Sequence, residues 1–193
     1  MVYAEGAAVS GTTRARLIDV AIELFRRHGV AGTSLQMISD ELGLTKSAIY
    51  HHFRTRDELL EAIVEPVIAE LAQLVESAGS QRGARAQAET MLSGFAALAV
   101  ANRTLIPILT GDPSVGELLR TRPAWGAIVA QQMELLTRVE PGMGGQVRAA
   151  IVMAGISAAV GVDYPDGGDD PTRLRDELIT AGRRTLGLRS PRT

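Results

Sequence analysis

Cysteine is absent from the 193 residues of this chain, which excludes a disulfide framework, a thiolate metal site and a cysteine nucleophile. Aromatic residues are scarce, at 4% beside 46% hydrophobic, so a core must be assembled mostly from Ala, Leu, Ile and Val. Histidine, the commonest general acid–base near neutral pH, occurs only at His28, His51 and His52. There is no HExxH pair, no glycine loop with a lysine to cradle phosphate and no serine-centred nucleophile elbow. An all-helical enzyme, the alternative reading, would have to work through carboxylates that no spacing clusters. No catalytic residue, metal or cofactor is therefore expected. The longest apolar run, residues 149–162, falls short of the roughly 20 residues that cross a bilayer. The N-terminus carries Glu5 without a basic flank, so residues 1–11 read as a disordered tail rather than a signal peptide. A cytoplasmic location with no membrane partner follows as the expectation.

What is present is concentrated in residues 33–60, TSLQMISDELGLTKSAIYHHFRTRDELL. Ile38 and Leu42 lie four apart and share one helix face. Gly43 follows where a helix C-terminus favours left-handed backbone, which glycine adopts without a Cβ clash. Thr45 supplies a hydroxyl cap for the next helix, and Ile49 is expected to fold back over Ile38 and Leu42. Two short helices joined by a turn of about three to four residues make a helix-turn-helix. Thr33 with Gln36 and Thr55 with Glu58 have capping-box spacing on its flanks. Upstream, residues 13–28 carry the apolar stripe Leu17, Val20, Ala21, Leu24 and Phe25, closed by Arg26, Arg27, His28 and Gly29. Residues 12–56 therefore read as a three-helix domain whose outward hydroxyl, cationic and aromatic positions suit a DNA major groove.

A formal charge of −2 is low for a nucleic-acid binder until it is divided. Residues 12–57 hold seven basic and five acidic side chains, while residues 58–193 hold 13 basic and 16 acidic. Phosphate neutralisation must then depend on a few placed cations and not on a general positive field. A non-specific DNA-architectural protein, weighed as a further alternative, would be more basic and would not need a separate apolar domain. Thr45, Lys46 and Ser47 open the second helix, where backbone N–H groups and the dipole favour phosphate. Lys46 can reach a phosphate or a guanine edge, and Ser47 a base or a phosphate. Tyr50 and His51 project from nearly the same face, and Ser34 and Arg56 are expected to flank the groove as phosphate contacts. The blander alternative is that Thr45 is only a cap and Tyr50 only a cover for the core. His52 and Arg54 stay open, Phe53 reads as core and His28 as an exposed helix end.

The run TRARLIDVAIELFRRHGVAGTSLQMISDELGLTKSAIYHHFRTRDELL closely resembles the N-terminal DNA-binding domain of the TetR family of transcriptional regulators. Phe25, Gly29, Thr33, Ser34, Ile38, Gly43, Lys46, Tyr50, Phe53 and Leu59 carry the resemblance. Ser39 departs from a usual alanine, Ala48 from a common glycine or small residue, and Arg56 from a frequent lysine. His51 and His52 leave the base preference open. The resemblance implies that Tyr50 and its neighbour contact backbone and bases of a double-stranded DNA operator. It also implies a homodimer, and a repressor that releases a palindromic operator when a small-molecule effector of unknown identity binds the C-terminal part.

Residues 57–190 read as further helices without a repeat, so the expected class is all-α. A long helix over residues 57–78 contains Pro66, which should bend it. Residues 84–101, 123–139, 146–162 and 171–186 read as helices, with short pieces in residues 102–123, a turn over 141–145 and a polar loop over 163–170. Met91, Phe95, Leu98, Trp125, Met133 and Met153 are the candidate lining of an apolar pocket. Ala150, Ala154, Ser157, Ala158 and Gly161 form a stripe of small residues that would let a second helix approach closely. The resemblance makes the last two helices the dimer interface.

Overall fold

A computed structural model describes the backbone of residues 3–165 and 170–188, and side chains from Thr13 onward. Residues 1–2, 166–169 and 189–193 lie outside the described residues, and with them parts of the expected tail, of the polar loop and of the chain's end. The described residues form an all-α protein of ten helices.

Helix α1 (Tyr3–His28) buries Leu17, Ala21, Leu24 and Phe25. It takes in residues 3–11, expected as a tail; once its packed part is nucleated, an alanine-containing extension propagates at little cost per residue. The helix ends on the three expected cations, with Gly29 at φ +72°. Helices α2 (Leu35–Glu41) and α3 (Lys46–His52) cover it through Leu35, Ile38 and Ile49, and Phe53 closes the layer. Gly43 takes φ +63° between them, as the turn requires.

The first capping box is not formed. Ser34 is the cap of α2 and accepts from the Met37 N–H at 3.2 Å. Thr33 instead turns inward, donates its hydroxyl to the Gly29 carbonyl at 2.9 Å and is buried. Gln36 reaches Asp40 rather than the helix start. The second box is present one residue out of register: Thr55 accepts from the Glu58 N–H, while the Glu58 carboxylate accepts from the Arg54 N–H at 2.8 Å.

Helix α4 (Arg56–Gly79) runs unbroken through Pro66. Pro66 is exposed, so the carbonyl it leaves without a donor faces water. Against α4 pack α5 (Ala84–Ala101) and α8 (Pro123–Thr137), joined to it through the short α6 (Ile106–Gly111) and α7 (Pro113–Thr121). Helix α9 (Met143–Ala159) lies against α6 and α8, and α10 (Pro171–Leu186) against α5 and α9. Asp170, the last residue of the expected polar loop, caps α10 by accepting from the Thr172 and Arg173 N–H groups. None of the described helices is long and apolar enough to cross a membrane.

Candidate nucleic-acid interface

Helix α3 has two faces. Ile49 is fully buried, while Lys46, Ser47, Tyr50, His51 and Arg54 are exposed along the opposite side. Thr45 caps the helix by accepting from the Ala48 N–H at 3.3 Å. Its side chain is thus a cap that also sits at the edge of this face. Lys46 is the only lysine of the chain, and its ammonium lies 5.7 Å from the centre of the Tyr50 ring. Tyr50 is 43% exposed and does not cover the core. The His51 and His52 rings meet edge to face at 5.5 Å, and His52 is half-buried. Phe53 is core, with the Arg14 guanidinium 5.1 Å over its ring. Ser39, one of the residues outside the usual pattern, is buried and gives its hydroxyl to the Gln36 carbonyl.

Not all the cations of this domain are available to a phosphate. Arg26 and Arg27 both hold Glu23, at 2.7 and 2.8 Å. The hydrogen bond from Arg26, then that from Arg27, keeps its carboxyl down at about 2. Arg56, expected as a phosphate contact, already has a partner within the chain. It donates to the Ala31 carbonyl at 3.0 Å and so pins the loop after α1. An arginine placed after a capped helix start can fold back as readily as outward, and spacing does not distinguish the two.

The same loop is gripped from the turn between α6 and α7 by a residue that the sequence pattern does not single out. Asp112, between α6 and α7, accepts the Val30 N–H on one carboxylate oxygen at 2.8 Å. Its other oxygen accepts the Ser114 N–H at 2.9 Å and caps α7. Burial by itself pushes this carboxyl up. The N–H groups of Val30 and Ser114, with the charge of Arg56, outweigh it and hold it below the ordinary carboxylate range. An Asp before Pro reads in sequence as a helix cap; that it also spans two domains becomes visible only in three dimensions. The latch should persist at neutral pH. A depressed carboxyl contributes stability that is complete above its unfolded value, about pH 4, and is lost as pH falls through the folded one. The melting-temperature gap between wild type and Asp112→Asn is therefore expected to be constant from pH 7 to 5 and to shrink below pH 4. A gap that changes near pH 6 would assign it to another group.

Beside Asp112 lies a cavity of about 880 Å³. Of the six residues expected to line one, Phe95, Leu98, Met133 and Met153 do so. Met91 does not: it is wholly buried in the packed core. Trp125 packs against the core from outside the cavity. The side chain that sequence reasoning passed over is Gln132, a polar residue on an apolar helix. The rest of the wall comes from α4 (Val64, Val67, Ile68, Leu71) and from α6 and α7, which were legible only as broken pattern.

The small-residue stripe faces this cavity too. Ala150, Ala154, Ser157 and Ala158 line it; Ser157 is 3% exposed and not available to a partner chain, whereas Ala150, Ala154 and Ala158 are exposed. A side chain on Gly161 would come 2.9 Å from Pro107 of α6. Small residues permit close approach within a chain as well as between chains, and spacing cannot separate the two. The exposed large apolar residues of α9 are Met143, Val147 and Ile151, with Val162 beyond its end, and Val147 and Ile151, four apart, share one helix face. On α10 the exposed face is mostly polar, with Arg173, Asp176, Glu177, Thr180 and Arg184.

Residues 17–63 match the family model for bacterial regulatory proteins of the tetR family. The HTH-type transcriptional regulator SrpR of Pseudomonas putida is 40% identical over 58 residues, 30% of this chain and 27% of that protein. The HTH-type transcriptional regulator Rv1816 of Mycobacterium tuberculosis is 30% identical over 105 residues, 53% of this chain and 45% of that protein. The chain thus matches less than half the length of these relatives, and the shared part includes the helix-turn-helix. Over the whole fold the chain is similar to SCO3833 of Streptomyces coelicolor, a member of the TetR transcriptional regulator family. That comparison has a TM-score of 0.70 at 20% identity and covers 91% of each chain.

Proposed function

We propose that this chain, whose N-terminal domain belongs to the TetR family of bacterial regulatory proteins, is a ligand-responsive repressor. It binds a palindromic DNA operator as a homodimer in the cytoplasm and releases it when a small apolar effector occupies the second domain. The single observation that carries the reading is the exposed face of α3. Lys46, Ser47, Tyr50 and His51 stand clear of a core that Ile38, Ile49 and Phe53 already fill, so their placement serves something outside the chain. The test is a footprint on duplex DNA flanking the protein's own coding region. A protected pair of inverted half-sites about one helical turn (~34 Å) or more apart is expected. Uniform protection without sequence preference would favour an architectural protein instead.

The second copy is argued from α9. Val147 and Ile151 are 50% and 56% exposed, and with the exposed Ala150, Ala154 and Ala158 they leave α9 an apolar surface that a second copy would cover. A two-fold axis along this surface would cover it with itself and set two α3 helices against a palindrome.

Coupling follows from shared parts. Gly111, Asp112 and Pro113 are cavity wall, and Asp112 also holds the loop that ends α1. Helix α4 lines the cavity with Val64 and Val67 and begins at the cap of the DNA-binding domain. An effector shifts operator binding only by its differential affinity for two poses of these elements. Asp112→Ala should therefore weaken the response of DNA affinity to any cavity ligand, besides losing about 1 kcal/mol of stability with the α7 cap. A response of unchanged size, measured by fluorescence anisotropy on the footprinted duplex, would remove the latch from the coupling path.

A further inference from the structure

We propose that the ligand this cavity selects is an uncharged, mainly apolar molecule with one hydrogen-bonding group, and that Gln132 is the residue that reads it. The inference rests on the reading of the second domain as a ligand-responsive unit and names the chemical class it responds to.

The first observation is charge. Among the described residues, the lining holds no Lys, Arg, His or Glu, and Asp112 is its one ionisable residue. Both Asp112 oxygens already accept backbone N–H groups. A carboxylate or phosphate entering the cavity would lose its water with no cation to meet it, and an ammonium would meet a single carboxylate whose charge is already shared with the Val30 and Ser114 N–H groups and with Arg56. Either loss exceeds what the apolar walls return.

The second observation is a polar group left unsatisfied. Gln132, on α8, is 3% exposed, lines the cavity, and makes one bond, from its amide nitrogen to the Met153 sulfur at 3.4 Å. A thioether is a weak acceptor, whereas a primary amide offers two donors and an acceptor oxygen. The Gln132 amide thus lines an apolar chamber with its oxygen and one N–H unused among the described residues, able to meet a polar group that enters. Ser157, equally buried on α9, adds a hydroxyl to the same lining. The Thr110 hydroxyl, by contrast, is spent on the Ile106 carbonyl at 2.9 Å. The remaining wall is aliphatic, with Phe95, Met133 and Met153 the aromatic and adaptable side chains in it. A neutral ketone, amide or alcohol end would match Gln132, and the hydrocarbon body would match the rest.

The full-length protein can be tested with four probes that share one two-ring skeleton. These are benzophenone, diphenylmethane, anionic diphenylacetate and cationic benzhydrylamine, with apparent affinities taken from the concentration dependence of the melting temperature. Benzophenone is expected to stabilise the protein, diphenylmethane to bind about tenfold more weakly, and the two ions to have no effect. Gln132→Leu should fold at least as stably, since it replaces an underused buried amide. It should also bring benzophenone and diphenylmethane to equal affinity, a ratio that a merely structural role would not move. Ser157→Ala provides a second variant, expected to narrow the same ratio. Binding of diphenylacetate or benzhydrylamine as tight as that of benzophenone would overturn the proposed class and leave the ligand-responsive reading standing. So would a ratio unchanged in Gln132→Leu. Failure of all four probes to shift the wild-type melting temperature would overturn both.

Discussion

Lys46→Ala and Tyr50→Ala are each expected to lower affinity for the footprinted duplex by about 1–3 kcal/mol, roughly five- to a hundredfold. The two losses should differ in kind. If Lys46 neutralises a phosphate, its loss weakens all sequences alike and lowers the slope of log K against log salt by about one. If it reads a guanine edge, the preference at one base pair relaxes while the salt slope changes less. Tyr50 carries no charge, so its removal leaves the slope unchanged. The ammonium of Lys46 lies 5.7 Å from the Tyr50 ring centre, so the pair is coupled and the double variant should lose less than the sum. Neither change should move the melting temperature appreciably, because both side chains are exposed and the layer beneath is filled by Ile38, Ile49 and Phe53. Titrations of both variants by fluorescence anisotropy at several salt concentrations decide it. Affinity equal to wild type in both would clear this face of α3 of any role in DNA binding.

That face was legible in the sequence because every element of it is local. Gly43 marks the turn, Thr45 the helix start, and Ile38 and Ile49 the inward side, all within a few residues of one another. The spans of α5 and α10 were legible for the same reason: Gly83 precedes one, and Asp170 with Pro171 opens the other. Where two local signals competed, the outcome was not. Thr33 and Ser34 are both cap residues, and the structure uses Ser34 because Thr33 is drawn into the core by the Gly29 carbonyl. What depends on long-range contact was out of reach. Arg56 is as good a phosphate ligand by type as Lys46, yet it folds onto Ala31, 25 positions earlier. Asp112 caps its own helix and also holds Val30, 82 positions away. Periodicity likewise placed Met91, Phe95 and Leu98 on one face, but that face splits between packed core and cavity wall. A buried amide such as Gln132 gives no periodic signal at all.

The helix face proposed to hold two copies together is the remaining case, and it yields the second large effect. Ile151→Asp is expected to convert the dimer to monomers. In a two-fold interface one substitution appears twice, and each carboxylate would be buried at the seam beside Val147, with Arg148, the arginine of α9, already paired with Glu140. Each buried, unpaired charge costs several kcal/mol, so the dissociation constant should rise by more than about a thousandfold. The monomer itself should melt as wild-type monomer does, because Ile151 is exposed within one chain. Thr180→Asp, on the exposed face of α10, separates the two helices as candidates: it should leave the dimer intact if α9 supplies the contact. Sedimentation velocity of both variants reads the outcome directly. DNA binding gives an independent check, since a monomer carries one α3 and engages one half-site, losing most of the affinity that two linked sites provide. A sedimenting dimer in Ile151→Asp, with loss of dimer in Thr180→Asp, would move the interface to α10, and a sedimenting dimer in both would place it on neither helix.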